Sequence, residues 1–122
     1  MRALIVDDSR FARKMLRIML EREGVECEEA EDGQTGLRRL HSGTHYDVAL
    51  VDWNMPKMSG LDMVRKLRSE GLDEVKVMMV TTESQADFIE RSLNAGANEY
   101  LMKPFDEEAL REKLALIGIE ER

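Results

Sequence analysis

The sequence predicts a single α/β domain: five β-α units forming a parallel sheet with helices on both faces. Three observations carry this. Short apolar runs of strand length alternate with segments whose apolar residues recur at helical spacing. The third run, Val48 to Val51, is continuously apolar, as in a strand buried on both faces. The chain has 122 residues and is 43% hydrophobic, enough for one core, with no linker, repeat or low-complexity stretch to divide it. Residues 1–122 are therefore expected to form one domain.

Ala3-Leu4-Ile5-Val6 is the first strand. Phe11, Met15 and Met19 then share a helix face, with Ala12, Leu16 and Leu20 beside them, while Arg10, Arg13, Lys14 and Arg17 point away. Gly24 is the expected C′ residue of that helix. The run from Val25 to Ala30 is more polar and alternates, which suits an edge strand. Leu37 and Leu40 mark a short helix after Gly33. Val48-Ala49-Leu50-Val51 is the third strand, and Leu61, Val64 and Leu67 form the helical face after it. Val77-Met78-Met79-Val80 is the fourth strand. Ser84-Gln85-Ala86-Asp87 has capping-box spacing and opens a helix with Ile89 and Leu93 on one face. Tyr100-Leu101-Met102 is the last strand, and Leu110, Leu114 and Ile117 the last helical face. Strands spaced by helices call for crossover connections and hence a parallel sheet.

Composition excludes several function classes. The net charge is −7, from 25 acidic and 18 basic residues, and no basic stripe with interleaved aromatics is present. Nucleic acid is therefore not an expected partner, because phosphate contacts need clustered Lys and Arg. The single cysteine, Cys27, cannot form an internal disulfide, fits a reducing compartment and is expected to be inert. The N-terminal apolar run is too short for a signal peptide or a membrane span, so a cytoplasmic protein without membrane contact is expected. No Gly-rich nucleotide loop occurs. His41 and His45 are not at metal-ligand spacing with the cysteine and are read as surface loop, and the nine methionines as core filler.

The residues just past each strand are more informative. Asp7 and Asp8 come after the first, Asp52 after the third, Thr81 and Thr82 after the fourth, and Lys103 and Pro104 after the fifth. In a parallel sheet these points share the C-terminal edge, where open α/β sheets place their ligand crevice. At about 5 Å and an effective dielectric of about 20, each pair of carboxylates repels by about 3 kcal/mol. Lys103 offsets one charge, and a divalent cation would offset the rest. Oxygen ligands without His or Cys favour a hard ion, Mg²⁺ before Zn²⁺. A carboxylate beside Mg²⁺, a Thr hydroxyl and a Lys is equipped for phosphoryl transfer. Asp52 is the expected nucleophile, and the metal and Lys103 neutralise the phosphoryl oxygens.

Asp7-Asp8, Asp52, Thr81 and Lys103-Pro104, in this order and spacing, resemble the receiver domain of two-component response regulators over the whole chain. VDD at 6–8, EEAEDG at 28–33, DWNMP at 52–56, MVT at 79–81, AGA at 95–97 and KPF at 103–105 are especially similar to the stand-alone chemotaxis regulators of that family. The resemblance implies a flavodoxin-like doubly wound sheet of strand order 2-1-3-4-5. It implies that Asp52 takes phosphate from a histidine kinase or a small phosphodonor. It implies Mg²⁺ held by Asp8, Asp52 and the backbone carbonyl of Asn54, with Asp7 acting through water. Lys103 and Thr81 would hold the phosphoryl group, and Tyr100 would be the aromatic that moves inward behind Thr81. Asn54 and Glu83 would tune phosphate lifetime, and the Lys103-Pro104 bond would be cis. The fourth helix, fifth strand and fifth helix would form the face that binds a downstream protein, such as the flagellar motor switch. The protein would act as a monomeric signalling domain rather than an enzyme on external substrates. Two positions depart from the chemotaxis pattern. Ser84-Gln85-Ala86-Asp87 stands where lysines are common, with a basic residue only at Arg91, and Thr82 replaces a small alanine.

Other readings share parts of this site. A phosphorelay carrier or phosphate sink would use Asp52 and return the phosphate to a histidine. A haloacid-dehalogenase-type phosphatase would need an acid two residues after Asp52, where Asn54 stands and cannot donate a proton. A piece of a larger regulator would carry the same residues.

Overall fold

A computed structural model describes residues 1–83 and 85–119. The elements run β1 (Arg2–Val6), α1 (Arg10–Arg22), β2 (Glu26–Ala30), α2 (Gly33–His41), β3 (Val48–Asp52), α3 (Gly60–Ser69), β4 (Lys76–Thr81), α4 (Ala86–Ala95), β5 (Glu99–Met102) and α5 (Glu107–Leu116). The five strands form one parallel sheet in the order β2-β1-β3-β4-β5, as expected, with β2 at an edge. The register pairs Val6 with Val51 and Asp52 with Val80, which brings the ends of β1, β3 and β4 level.

Strand periodicity divides the core in two. Leu4, Val6, Ala49, Val51, Val77 and Met79 face α2 and α3 through Leu37, Leu40, Leu61, Val64 and Leu67. Ala3, Ile5, Val48, Leu50, Met78 and Val80 face α1 and α5 through Leu16, Leu20, Leu110 and Leu114. Four helices begin at capping side chains: Ser9, Asp32, Ser59 and Asp106 each accept a hydrogen bond from the backbone N–H three residues on. Gly24 comes after α1 at φ 78, as expected of a C′ residue.

Three helical faces differ from the sequence reading. On α1, Phe11 is 73% exposed and Met15 is also exposed, whereas Leu16 and Leu20 are buried. The helix is turned so that Arg13 and Arg17 lie over the edge strand, where both pair with Glu29 at 3.0 and 2.7 Å. On α4, Leu93 is exposed, Ile89 is half-buried and Ser92 is buried, because the helix rests on its neighbours through Phe88, Ser92 and Ala95. That helix begins at Ala86 with Gln85 as an N-cap that makes no side-chain hydrogen bond, and Ser84 of the expected capping box lies outside the described residues. On α5, Ile117 is the C-cap and only half-buried. His41 ends α2 and meets Glu70, and exposed His45 meets Asp47. Burial pushes the Cys27 thiol up to about 11, which keeps it protonated at neutral pH. Among the described residues, no helix is long and apolar enough to cross a membrane.

Candidate functional site at the C-terminal edge of the sheet

Each charged group of the site is placed by the end of a strand. Asp7 comes directly after β1 and is 2% exposed. Its Oδ1 accepts a hydrogen bond from the Ser9 N–H at 2.8 Å, and the Arg13 guanidinium donates to its backbone carbonyl at 2.7 Å. Asp8 is exposed at the rim. Asp52 is the last residue of β3 and is 8% exposed. Lys103 comes directly after β5, and its backbone N–H donates to the Thr81 carbonyl at 2.7 Å, which ties the loop to β4. Its Nζ reaches Asp52 Oδ1 at 3.2 Å and Asp7 Oδ2 at 3.5 Å. The Lys103-Pro104 bond is cis.

The carboxylates of Asp7, Asp8 and Asp52 each offer an oxygen within 4.8 Å of the others. The charges shift one another. Burial, then the charge of Asp7, raises the Asp52 pKa from its ordinary value; Lys103 opposes this and Asp8 adds to it. Burial works against the Lys103 ammonium, but Asp52 and Asp7 outweigh it and hold its pKa above the ordinary lysine value. One ammonium faces three carboxylates, so the cluster keeps an excess of negative charge. Close oxygen donors with no nitrogen or sulfur among them suit a hard divalent cation such as Mg²⁺.

The remaining predicted residues surround this cluster. Thr81 ends β4 and is buried, and its hydroxyl oxygen accepts a hydrogen bond from the Glu83 N–H at 2.9 Å. Asn54 is exposed in the loop after β3, and Glu83 is half-buried in the loop after β4. Tyr100 sits in β5, half-buried against the α2/α3 core, with Lys113 Nζ 4.2 Å from its ring centroid. The same ammonium pairs with Glu99 at 3.2 Å.

Two positioning residues escaped the sequence reading. A Cβ on Gly60 would lie 2.3 Å from the Asp52 carbonyl oxygen, so only glycine lets α3 start this close to the end of β3. The Ser-Gly pair ahead of a helical face was the available signal. The other is Arg13, whose hold on the Asp7 backbone has no signature in sequence spacing.

The response regulator receiver domain model matches residues 3–115. The chain is 40% identical to the chemotaxis protein CheY1 of Helicobacter pylori over 119 residues, covering 96% of each. Among solved structures it is similar to CheY4 of Vibrio cholerae, with a TM-score of 0.88 and 32% identity over 95% of this chain and 97% of that one. It is also similar to the response regulator TrrA of Thermotoga maritima, solved in complex with Mg²⁺-BeF, with a TM-score of 0.84 and 34% identity over 95% and 97% of the two chains.

Proposed function

Because the chain belongs to the response regulator receiver domain family, we propose that it is a phosphorylation-activated switch of a two-component system, with Asp52 as the phosphoacceptor. The observation that carries this is the Asp52 carboxylate itself. It is buried at the sheet edge, 3.2 Å from Lys103 Nζ and grouped with Asp7 and Asp8.

A carboxylate oxygen of Asp52 attacks phosphorus in a kinase phosphohistidine or a small phosphodonor, the bond from phosphorus to the donor breaks, and an acyl phosphate remains. Lys103 moves from pairing with Asp52 to pairing with the phosphoryl oxygens. The Thr81 hydroxyl donates to the same group. Asp8, Asp52 and the Asn54 carbonyl would hold Mg²⁺, with Asp7 behind them, and the ion when bound supplies positive charge against the phosphoryl oxygens. Asn54 and Glu83 would tune the lifetime of the acyl phosphate, as the family resemblance implies. Tyr100 moves in behind the displaced Thr81, and the face formed by α4, β5 and α5 changes its affinity for a protein target.

The similarity to CheY proteins favours a chemotaxis role, with a histidine kinase upstream and a flagellar target downstream. The reading takes residues 1–122 as one receiver domain that is cytoplasmic, monomeric and not an enzyme toward external substrates. Trp53, the sole tryptophan, is a neighbouring reporter. Its emission should change on adding Mg²⁺ and again on adding beryllofluoride, and Asp52→Asn should abolish the second change. An unchanged second response in that variant would count against the assignment.

A further inference from the structure

Trp53 is the residue next to Asp52, yet its side chain packs on α4. The Trp53 and Phe88 rings meet edge to face, centroids 5.3 Å apart at 66°. The Arg91 guanidinium lies 5.8 Å from the Trp53 ring centroid and 5.7 Å from that of Phe88. Phe88 and Arg91 are three residues apart on α4 and so share a side of the helix. The backbone of Trp53 is fixed: its N–H donates to the Val80 carbonyl and its carbonyl accepts from the Gly60 N–H, both at 2.9 Å.

The helix on the other side of this stack is weakly held. Its N-cap lacks a side-chain hydrogen bond, and Ser92 is its one buried residue among the described residues. Its C-terminal end is tethered to α3. Arg68 donates to the carbonyl of Gly96, the C-cap of α4, at 3.0 Å and to the Asn98 Oδ1 just beyond it at 3.0 Å, and is itself held by the Leu72 carbonyl of the loop after α3 at 2.6 Å. Asn98 Oδ1 also accepts from the Val77 N–H at the start of β4. The first half of α4 therefore rests on the stack, while its far end is pinned.

We propose that the Trp53–Phe88–Arg91 stack is a latch that holds the first half of α4 in its unphosphorylated position, and that α4 pivots about its Arg68-tethered end when the latch yields. The inference rests on Asp52 being the phosphoacceptor. A phosphoryl group there accepts from the Thr81 hydroxyl, whose oxygen accepts from the Glu83 N–H, so reaching it pulls on the loop that this hydrogen bond ties to Thr81. Drawing Thr81 inward shifts the loop that leads into α4, while Trp53 stays bonded between β4 and α3. The two sides of the stack then shear. Edge-to-face aromatic contacts and cation–π contacts each shift an equilibrium by roughly two- to tenfold. Cutting the latch removes part of what opposes phosphorylation, so phosphate uptake should speed up.

The test uses the full chain as wild type, Phe88→Ala, Arg91→Ala and Arg91→Lys, each checked for folding by thermal unfolding. Initial phosphorylation by acetyl phosphate with Mg²⁺ is read by intact mass, and Trp53 emission is recorded in the same samples. The latch predicts uptake about threefold faster in Arg91→Ala, about fivefold faster in Phe88→Ala and near wild type in Arg91→Lys. It also predicts a smaller Trp53 response to phosphorylation in both alanine variants. A purely structural role would lower the unfolding temperature without accelerating uptake. Phosphorylation of the wild type with both alanine variants at its rate or slower overturns the latch alone. A wild type that takes no phosphate overturns the reading of Asp52 and the latch with it.

Discussion

Replacing Asp52 by asparagine keeps its shape and removes its charge, which separates the cost of that charge from its use. Burial and Asp7 hold the Asp52 pKa above the ordinary carboxylate value of about 3.9. Between the unfolded and folded pKa values the folded protein keeps a proton that the unfolded chain has released. The stability this confers is present at acid pH and is lost as pH rises through the folded pKa. Without divalent ions, Asp52→Asn should match the wild type at pH values below the unfolded carboxylate pKa and melt higher than it at neutral pH, as thermal unfolding across a pH series would register. At this scale the sequence was legible wherever a polar residue ends an apolar run, which exposed Asp7, Asp52, Thr81 and Lys103. The direction of the Thr81 hydroxyl was not legible, because one hydrogen bond to the next loop decides it.

Helix faces show why periodicity locates an element better than it orients it. In α1, Phe11, Ala12, Met15, Leu16, Ile18, Met19 and Leu20 are all apolar, so more than one stripe fits the helical spacing. The sheet selects Leu16 and Leu20, and Glu29 on the edge strand draws Arg13 and Arg17 to the adjoining side. Chemical denaturation should therefore show Leu20→Ala costing about 2–5 kcal/mol and Phe11→Ala no more than about 0.5 kcal/mol. The reverse order would restore the stripe expected from sequence. The junction of β3 and α3 depends on a missing side chain in the same way. Gly60→Ala drives a Cβ into the Asp52 carbonyl, and because backbone yields poorly it should cost about 2–4 kcal/mol and weaken Mg²⁺ binding. Urea unfolding and a Mg²⁺ titration would report the two effects separately.

Across the whole molecule, parallel topology turns a dispersed sequence pattern into a site. Asp7 and Lys103 lie 96 positions apart in the sequence, yet their side chains meet at 3.5 Å because each sits just past a strand that ends at the same edge. The convergence was readable in the alternation of strands and helices alone. The strand order was not, and came from the resemblance to a known family. On the proposed reading, the local excess of negative charge couples the stability of the fold to a divalent cation. Saturating Mg²⁺, at about a hundred times its dissociation constant, should stabilise the wild type by about 2.7 kcal/mol, and Asp52→Asn by much less. Equal stabilisation of both proteins in a thermal-shift series would place the ion elsewhere.

The most direct test of Asp52 as phosphoacceptor is intact-mass measurement after incubation with acetyl phosphate and Mg²⁺, with fragmentation to localise the group. The expected result is one phosphoryl group on the wild type, carried by Asp52, absent from Asp52→Asn and absent when the divalent ion is chelated. A wild type of unchanged mass, or a phosphoryl group retained by Asp52→Asn, would contradict it.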